Sequence, residues 1–498
     1  MQVQRNYLPI AIALLIAATC AVRAASPIPA NLIANGTFTS RTASGEPVSW
    51  TSKAPQASVT TGNDSWATVV SIKGQSDAGA SIEQSVHLQP EWTRLLVRGF
   101  FKVTAPSPTG ASPSASVQLS WRSTGDAASA PPVPAALAAP FDGWTEVNQL
   151  LTVPKGATDL VVAPSVAAAA TASFRDLSVV AWVPTLIDDF DGYEVNQNAW
   201  TPTDSDHFVY SPGIQHFSPD YVHIEGGSAR FHADKVAYGT QAYQSGELTT
   251  LDKFQQLYGY WEFKVKLPMV RGVWPAAYLI RWDNGWPPEI DVQEMSGNDT
   301  STVIETNHYA DDYGRHKASS VNWDGTTVDR SQWHTYAVCW EPDALAWYFD
   351  DKYMGTTRPP DGRVSDVPMY IRLNLAVGSY GGDPEQSPWP QDLVCDFVHV
   401  YQRHDFPLPL YCAPSQEITI PVRTAYLHAI ASSPMTGATV TWALVEGPGA
   451  AIIAYPGELD TMVTLTKPGM YRFSVKVEKG QSSATRETLV YLNPEAPK

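Results

Sequence analysis

The chain has 498 residues, of which 44% are hydrophobic and 17% charged, with 40 Pro and 33 Gly and a formal net charge of −17 at pH 7. That length excludes a single ordinary core, since domains mostly run from ~50 to ~250 residues, and the charge excludes nucleic acid and anionic membrane surfaces as partners. No long stretch repeats with a period near 3.6; short runs rich in Val, Tyr, Trp and Thr recur between Gly, Pro or Asp, so we expect an all-β chain of several sandwiches.

At the N-terminus, Arg5, the apolar run from Leu8 to Ala18 and the small residues around Val22-Arg23-Ala24 have the layout of a cleavable signal peptide over residues 1–24. The apolar run is too short to span a bilayer, and Thr19 before Cys20 fits a lipid anchor poorly, so secretion to an extracellular or periplasmic compartment is expected. Cys339, Cys395 and Cys412 then remain, allowing at most one disulfide; Cys339 and Cys395 lie in apolar strand patterns and read as buried thiols.

Residues 29–182 open with Asn31-Leu32-Ile33-Ala34-Asn35-Gly36-Thr37-Phe38 and close with Phe174-Arg175-Asp176-Leu177-Ser178-Val179. Two Pro/Ala/Ser-rich stretches, 105–115 and 127–140, read as surface loops. The opening and closing motifs resemble those of jelly-roll carbohydrate-binding modules. Trp50, Trp66, Trp92, Trp121 and Trp144 are candidate stacking platforms for sugar rings, with core packing as the ordinary alternative.

Residues 184–404 are the most aromatic part of the chain and carry Glu289-Ile290-Asp291-Val292-Gln293-Glu294. Side chains two apart on a strand share a face, so Glu289 and Asp291 point together while Glu294 would point away. A bulge at Val292-Gln293 restores the parity and puts three carboxylates on one surface. Like charges so close drive their pKa values apart, which suits glycoside hydrolysis: one carboxylate attacks the anomeric carbon while another, protonated, serves the leaving oxygen. A solvated or cation-binding acidic face is the alternative reading of the cluster taken alone.

The context resembles glycoside hydrolase family 16, whose signature Glu-x-Asp-x-x-Glu this hexapeptide matches. Gln244-Ser245-Gly246-Glu247-Leu248, Tyr258 to Pro268, Trp274-Pro275-Ala276-Ala277-Tyr278-Leu279, His308-Tyr309, Trp333-His334-Thr335-Tyr336, Trp347-Tyr348-Phe349-Asp350, Asn374-Leu375-Ala376-Val377-Gly378 and Asp396 to Tyr401 follow in family order. The resemblance implies a two-sheet jelly roll with an open cleft. It implies Glu289 as nucleophile, Glu294 as acid/base and Asp291 assisting, with Trp274 as a sugar platform and His308 near the acid/base. Asn374 joins the substrate-binding set, and Trp282, Trp286, Trp323 and Trp389, read as loop residues, are further stacking candidates. No cofactor is required for catalysis; a structural calcium is implied at Asp396, with backbone oxygens of Asp189 and Gly227. Pro287-Pro288, where most relatives have Gly before the nucleophile, marks an unusual subfamily.

Residues 410–498 resemble the immunoglobulin-like or polycystic-kidney-disease-like modules of secreted glycanases, with Trp442 as the core tryptophan. The expected activity is that of a monomeric, secreted, retaining endo-β-glycosidase on a neutral polysaccharide, first of all β-1,3-glucan. A bacterial exopolysaccharide or galactan, transglycosylation in place of hydrolysis, and a non-catalytic glycan-binding role are the alternatives.

Overall fold

The computed structural model describes residues 31–494 apart from 54–57, 65–66, 106–114, 124–142, 207–213, 359–362, 406–409, 414, 432–436 and 481. The expected signal peptide, Trp66 and most of both Pro/Ala/Ser-rich stretches lie outside the described residues. The remainder is built from strands, with only two three-residue 3-10 turns, Pro219–Tyr221 and Ser379–Gly381.

The central unit is a sandwich of two sheets. One has seven strands, in the order Thr201–Pro202, Glu247–Thr249, Met369–Val377, Val273–Arg281, Glu289–Ser296, Asp299–Ala310 and His316–Asp324. The other runs from Gln215–Phe217 through Tyr243–Ser245, Ala229–Asp234, Gln391–Arg403, Gly259–Lys266, His334–Glu341 and Ala344–Phe349 to Lys352–Thr357. Trp200, Trp261, Trp340, Trp347 and Phe263 fill the space between them. Burial on both faces explains why these strands read as continuous apolar runs such as Ala344–Phe349, buried at every position.

The boundary expected between residues 182 and 184 is not a linker. One 18-residue strand, Thr171–Asp188, pairs with Arg94–Ala105 in the N-terminal unit and with Gln391–Arg403 in the central one, so the second sheet is continuous across both. Leu96, Leu150, Val180 and Trp182 pack there against Tyr260, Ala337, Cys339, Tyr348 and Tyr401. Arg94 pairs with Glu262 at 2.6 Å, and Arg98 and Arg403 both pair with Glu341. One outer face of the N-terminal sandwich is therefore closed off. Of the described tryptophans there, Trp92 is buried against His404, Trp50 packs on Phe38, Trp121 packs against the core and Trp144 lies under the Arg175 guanidinium.

The C-terminal unit packs two four-stranded sheets around Trp442, Tyr471 and Phe473. Cys339 and Cys395 are buried free thiols and Cys412 is a half-buried one. No disulfide forms among the described residues.

Candidate active site

Glu289 begins its strand immediately after Pro288, which needs no ladder donor at that position. On the Val273–Arg281 side Ala277 faces Gln293 and Tyr278 faces Asp291, so Val292 is the extra residue. On the other side Asp291 faces Thr306 and Glu294 faces Ile304, which leaves Val292 and Gln293 together opposite Glu305. The bulge thus falls where the parity argument requires it. Val292 and Gln293 turn into the core, and Glu289, Asp291 and Glu294 line one cleft of about 600 Å³.

Alternation on neighbouring strands supplies the rest of the wall: Trp274, Ala276, Tyr278 and Ile280; Ile304, Thr306 and His308; Ala318, Ser320 and Asn322; Arg372 and Asn374. Trp286 and Asn284 enter from the loop before Glu289, and Tyr380 meets the Trp274 ring edge-on at 5.3 Å.

Each catalytic-motif glutamate has its own indole donor. Trp274 Nε1 donates to Glu294 Oε1 at 2.8 Å, and Trp286 Nε1 donates to Glu289 Oε2 at 2.5 Å. Burial pushes the Glu289 carboxyl up to about 8, with the neighbouring Asp291 charge adding to it and His308 and Trp286 opposing. Burial likewise lifts Glu294 to about 7, against the pull of the Trp274 N–H. Asp291, buried and beside Glu294, is raised well above the ordinary carboxylate range. Three raised carboxyls this close titrate together, so the apparent values belong to the cluster.

His308 stands opposite Glu289 in the register, with its Nε2 3.0 Å from Asp291 Oδ2 in a close contact that is not a well-aligned hydrogen bond. Its direct carboxylate neighbour is thus Asp291, and it also lies close enough to Glu294 to draw that carboxyl down. Asn374 donates to Glu247 Oε2 at 3.0 Å, and Arg372 lies 3.4 Å from Glu247 Oε1. Arg372, Tyr278 and Tyr380 escaped the sequence reading, yet the first two share their strands' cleft face with Asn374 and Trp274, two and four residues away.

Three expected stacking residues lie elsewhere. Trp323 is the odd residue of the His316–Asp324 strand; it faces inward against Phe349 at 4.7 Å and beside Glu305, an acid raised well above its usual range by burial. Trp389 packs on Tyr243 and donates to Pro384 O. Trp282 meets His428 and Tyr411 of the C-terminal unit, at 4.7 and 6.0 Å between ring centres.

Of the donors expected to hold calcium, the one charged side chain is already paired. Lys264 Nζ stands 2.7 Å from Asp396 Oδ2, so an ammonium already neutralises the one charged ligand of the set. The Asp189 side chain is turned to His399 Nε2 at 2.8 Å, and Gly227 sits in a turn at φ 72°. Among the described residues the one group of three acids and histidines close enough to share an ion is Glu289, Asp291 and His308, within 4.8 Å of one another, and these already contact Trp286 and each other.

Residues 217–395 match the family model for glycosyl hydrolases family 16. The endo-1,3-1,4-beta-glycanase ExsH of Rhizobium meliloti (strain 1021) is 43% identical over 162 residues, covering 32% of this chain and 33% of that protein. The glucan endo-1,3-beta-glucosidase A1 of Niallia circulans is 29% identical over 255 residues, covering 43% and 37% respectively. The beta-glucanase of Rhodothermus marinus is 31% identical over 205 residues, which cover 36% of this chain and 69% of the relative. The first two matches thus span about a third of each relative, while the third takes in most of a glucanase. The chain belongs to glycosyl hydrolases family 16.

Proposed function

We propose that this protein is a retaining endo-β-glycosidase that cuts internal linkages of a β-glucan containing 1,3- or mixed 1,3-/1,4-bonds. The observation that carries the reading is the bulge at Val292-Gln293, which sets Glu289 and Glu294 on one face of an open cleft, each bonded to a different indole. Glu289 attacks the anomeric carbon while the Glu294 carboxyl gives its proton to the leaving oxygen; Glu294 then takes a proton from the water that cleaves the glycosyl ester. Asp291, between them, tunes the pair through its charge and orients Glu289.

The substrate class rests on similarity to proteins named 1,3- and 1,3-1,4-glycanases and on the cleft wall. Trp274 and Trp286 offer flat faces, and Asn284, Arg372, Asn374 and Asn322 offer hydrogen bonds suited to hydroxyl groups. Arg372 is tied to Glu247, which suits a neutral polymer better than a sulfated one. Secretion is part of the same reading and is supported by the N-terminal sequence pattern alone.

The test is release of reducing ends from laminarin, lichenan, agarose, carrageenan and bacterial exopolysaccharides, with proton NMR of the first product. Turnover of laminarin or lichenan with the β anomer appearing first is expected. An α anomer would remove the double displacement, and turnover of agarose or an exopolysaccharide alone would replace the substrate while leaving the residues in place.

A further inference from the structure

We propose that His316 is a positioning residue for the catalytic cluster, fixing the tautomer and ring orientation of His308 so that His308 presents an N–H to Asp291. This rests on the glycosidase reading above and adds a residue that lies outside the family motif.

His316 opens the edge strand His316–Asp324, in register with Ala310, and alternation places it on the same face as Ala318, Ser320 and Asn322, which line the cleft. Its Nε2 lies 2.8 Å from His308 Nδ1, the rings lie 5.0 Å apart at 24°, and the Trp286 ring covers both, 4.4 Å from His316 and 6.0 Å from His308. Three rings therefore lean on one another beside the nucleophile.

The proton positions follow from what faces what. In the state that begins the reaction the proton is on Glu294 and Asp291 is a carboxylate; its Oδ2 stands 3.0 Å from His308 Nε2, where a bare lone pair would be repelled, so that nitrogen carries the hydrogen. A neutral imidazole has one N–H, which leaves His308 Nδ1 as an acceptor. At 2.8 Å its partner must then be a donor, and that donor is His316 Nε2–H. The line reads His316 N–H to His308, His308 N–H towards Asp291, and Asp291 beside Glu289, which takes the Trp286 N–H. Because the His308–Asp291 contact is close but poorly aligned, it does not by itself hold the ring, and the bond from His316 supplies the missing restraint. An N–H rather than a lone pair beside Asp291 favours the carboxylate orientation in which Asp291 serves Glu289.

Two substitutions separate this bond from the ring stack. His316→Phe keeps an aromatic face against Trp286 and removes the donor; His316→Gln keeps an N–H at the reach of Nε2 and removes the ring. His316 is exposed on an edge strand, so both variants are compatible with the fold. With the glucan that the wild type turns over, His316→Phe is expected to lower kcat about tenfold, the worth of one hydrogen bond, with KM within about twofold, and His316→Gln to restore kcat. Long-range proton–nitrogen spectra of histidine-labelled protein should show His308 as a single Nε2–H tautomer in the wild type and His316→Gln, and as a mixture in His316→Phe. Wild-type kcat and an unchanged tautomer in His316→Phe would overturn the proposal, as would equal losses in both variants accompanied by a raised KM, which would assign the effect to the stack. The spectra need no substrate, so they decide the His316–His308 relation even if no glycan is hydrolysed and the functional reading itself fails.

Discussion

Arg94 of the N-terminal unit holds its guanidinium 2.6 Å from the carboxylate of Glu262, a fully buried residue of the central sandwich. Burial would raise the Glu262 carboxyl, but His399 and Arg94 more than offset it and hold it below its usual range. Arg94→Met should therefore strand a buried charge and destabilise the protein by about 3–5 kcal/mol. Arg94→Met with Glu262→Gln should recover a large part of that loss. Chemical denaturation of the two variants measures it, and equal losses would show that packing, not charge, joins the units. The same contact predicts that residues 184–404 expressed alone expose Tyr260, Tyr348 and Tyr401 and melt well below the longer chain.

The carboxyl cluster gives stability an opposite dependence on pH. Glu289 and Glu294 are raised from 4.5 to about 8 and about 7, so between about pH 4.5 and 8 the folded protein keeps protons that the unfolded chain has released. Stability from these groups falls as pH rises through that window. Glu289→Gln removes one of them, and its melting temperature should gain on the wild type more at pH 8 than at pH 5. Each kcal/mol of that gain corresponds to about 2–4 °C for a unit of this size. Parallel curves for the two proteins across the window would count against a cluster of raised carboxyls.

The acidic motif was legible because parity on a strand is a hard constraint: once Glu289 and Glu294 must share a face, a bulge between them follows, and the register has it at Val292. The tryptophans were not legible for a related reason. Trp323 looks like a loop residue until the His316–Asp324 strand is paired, after which alternation alone turns it inward, away from Ser320 and Asn322. Trp282 and Trp389 are decided by partners remote in sequence, His428 and Tyr243, which no local pattern announces. The unit boundary near residue 183 was placed from the sequence, but not the single strand that crosses it, because its pairing partners in the two units are remote in sequence.

The roles of the two glutamates separate by leaving group. Glu294→Ala removes the proton donor and should lower activity on polysaccharide by ~10²–10⁴. Aryl glycosides whose leaving groups need little protonation should still form the glycosyl-enzyme, and Glu289→Gln should be inactive on both. An equal loss on both substrates for Glu294→Ala would exchange or dismiss the assignment.

Lys264 makes a chelator experiment informative. With its ammonium on Asp396, between the rings of Trp333 and Phe397, treatment with EDTA should leave the melting temperature unchanged. Lys264→Ala should destabilise the wild-type protein by leaving the carboxylate without its partner, and added calcium should recover some of that loss only if backbone oxygens of Asp189 and Gly227 can close on the same point. A fall in melting temperature on chelation of the wild type would restore the calcium site and displace the lysine from this role.

Trp286 and Trp282 lie four residues apart in one loop but face different units, and their substitution should separate cleanly. Trp286 donates to Glu289 and stacks beside His316, so Trp286→Phe, which keeps a ring and removes the N–H, should lower kcat. Trp282 touches His428 and Tyr411, and Tyr411 is half-buried there on the Leu410–Cys412 strand. Trp282→Ala should leave kcat and KM on short glucan oligosaccharides close to wild type, because the rings it touches, His428 and Tyr411, do not line the cleft. Its effect should appear as loosened attachment of the C-terminal unit: faster proteolysis within the segment that joins residue 403 to residue 410, and faster hydrogen exchange along Thr424–Ala431, the strand that carries His428. A rise in KM with unchanged proteolysis would place Trp282 in substrate binding after all, and loss of both kcat and protection would mean that the C-terminal unit holds the Trp286 loop against Glu289.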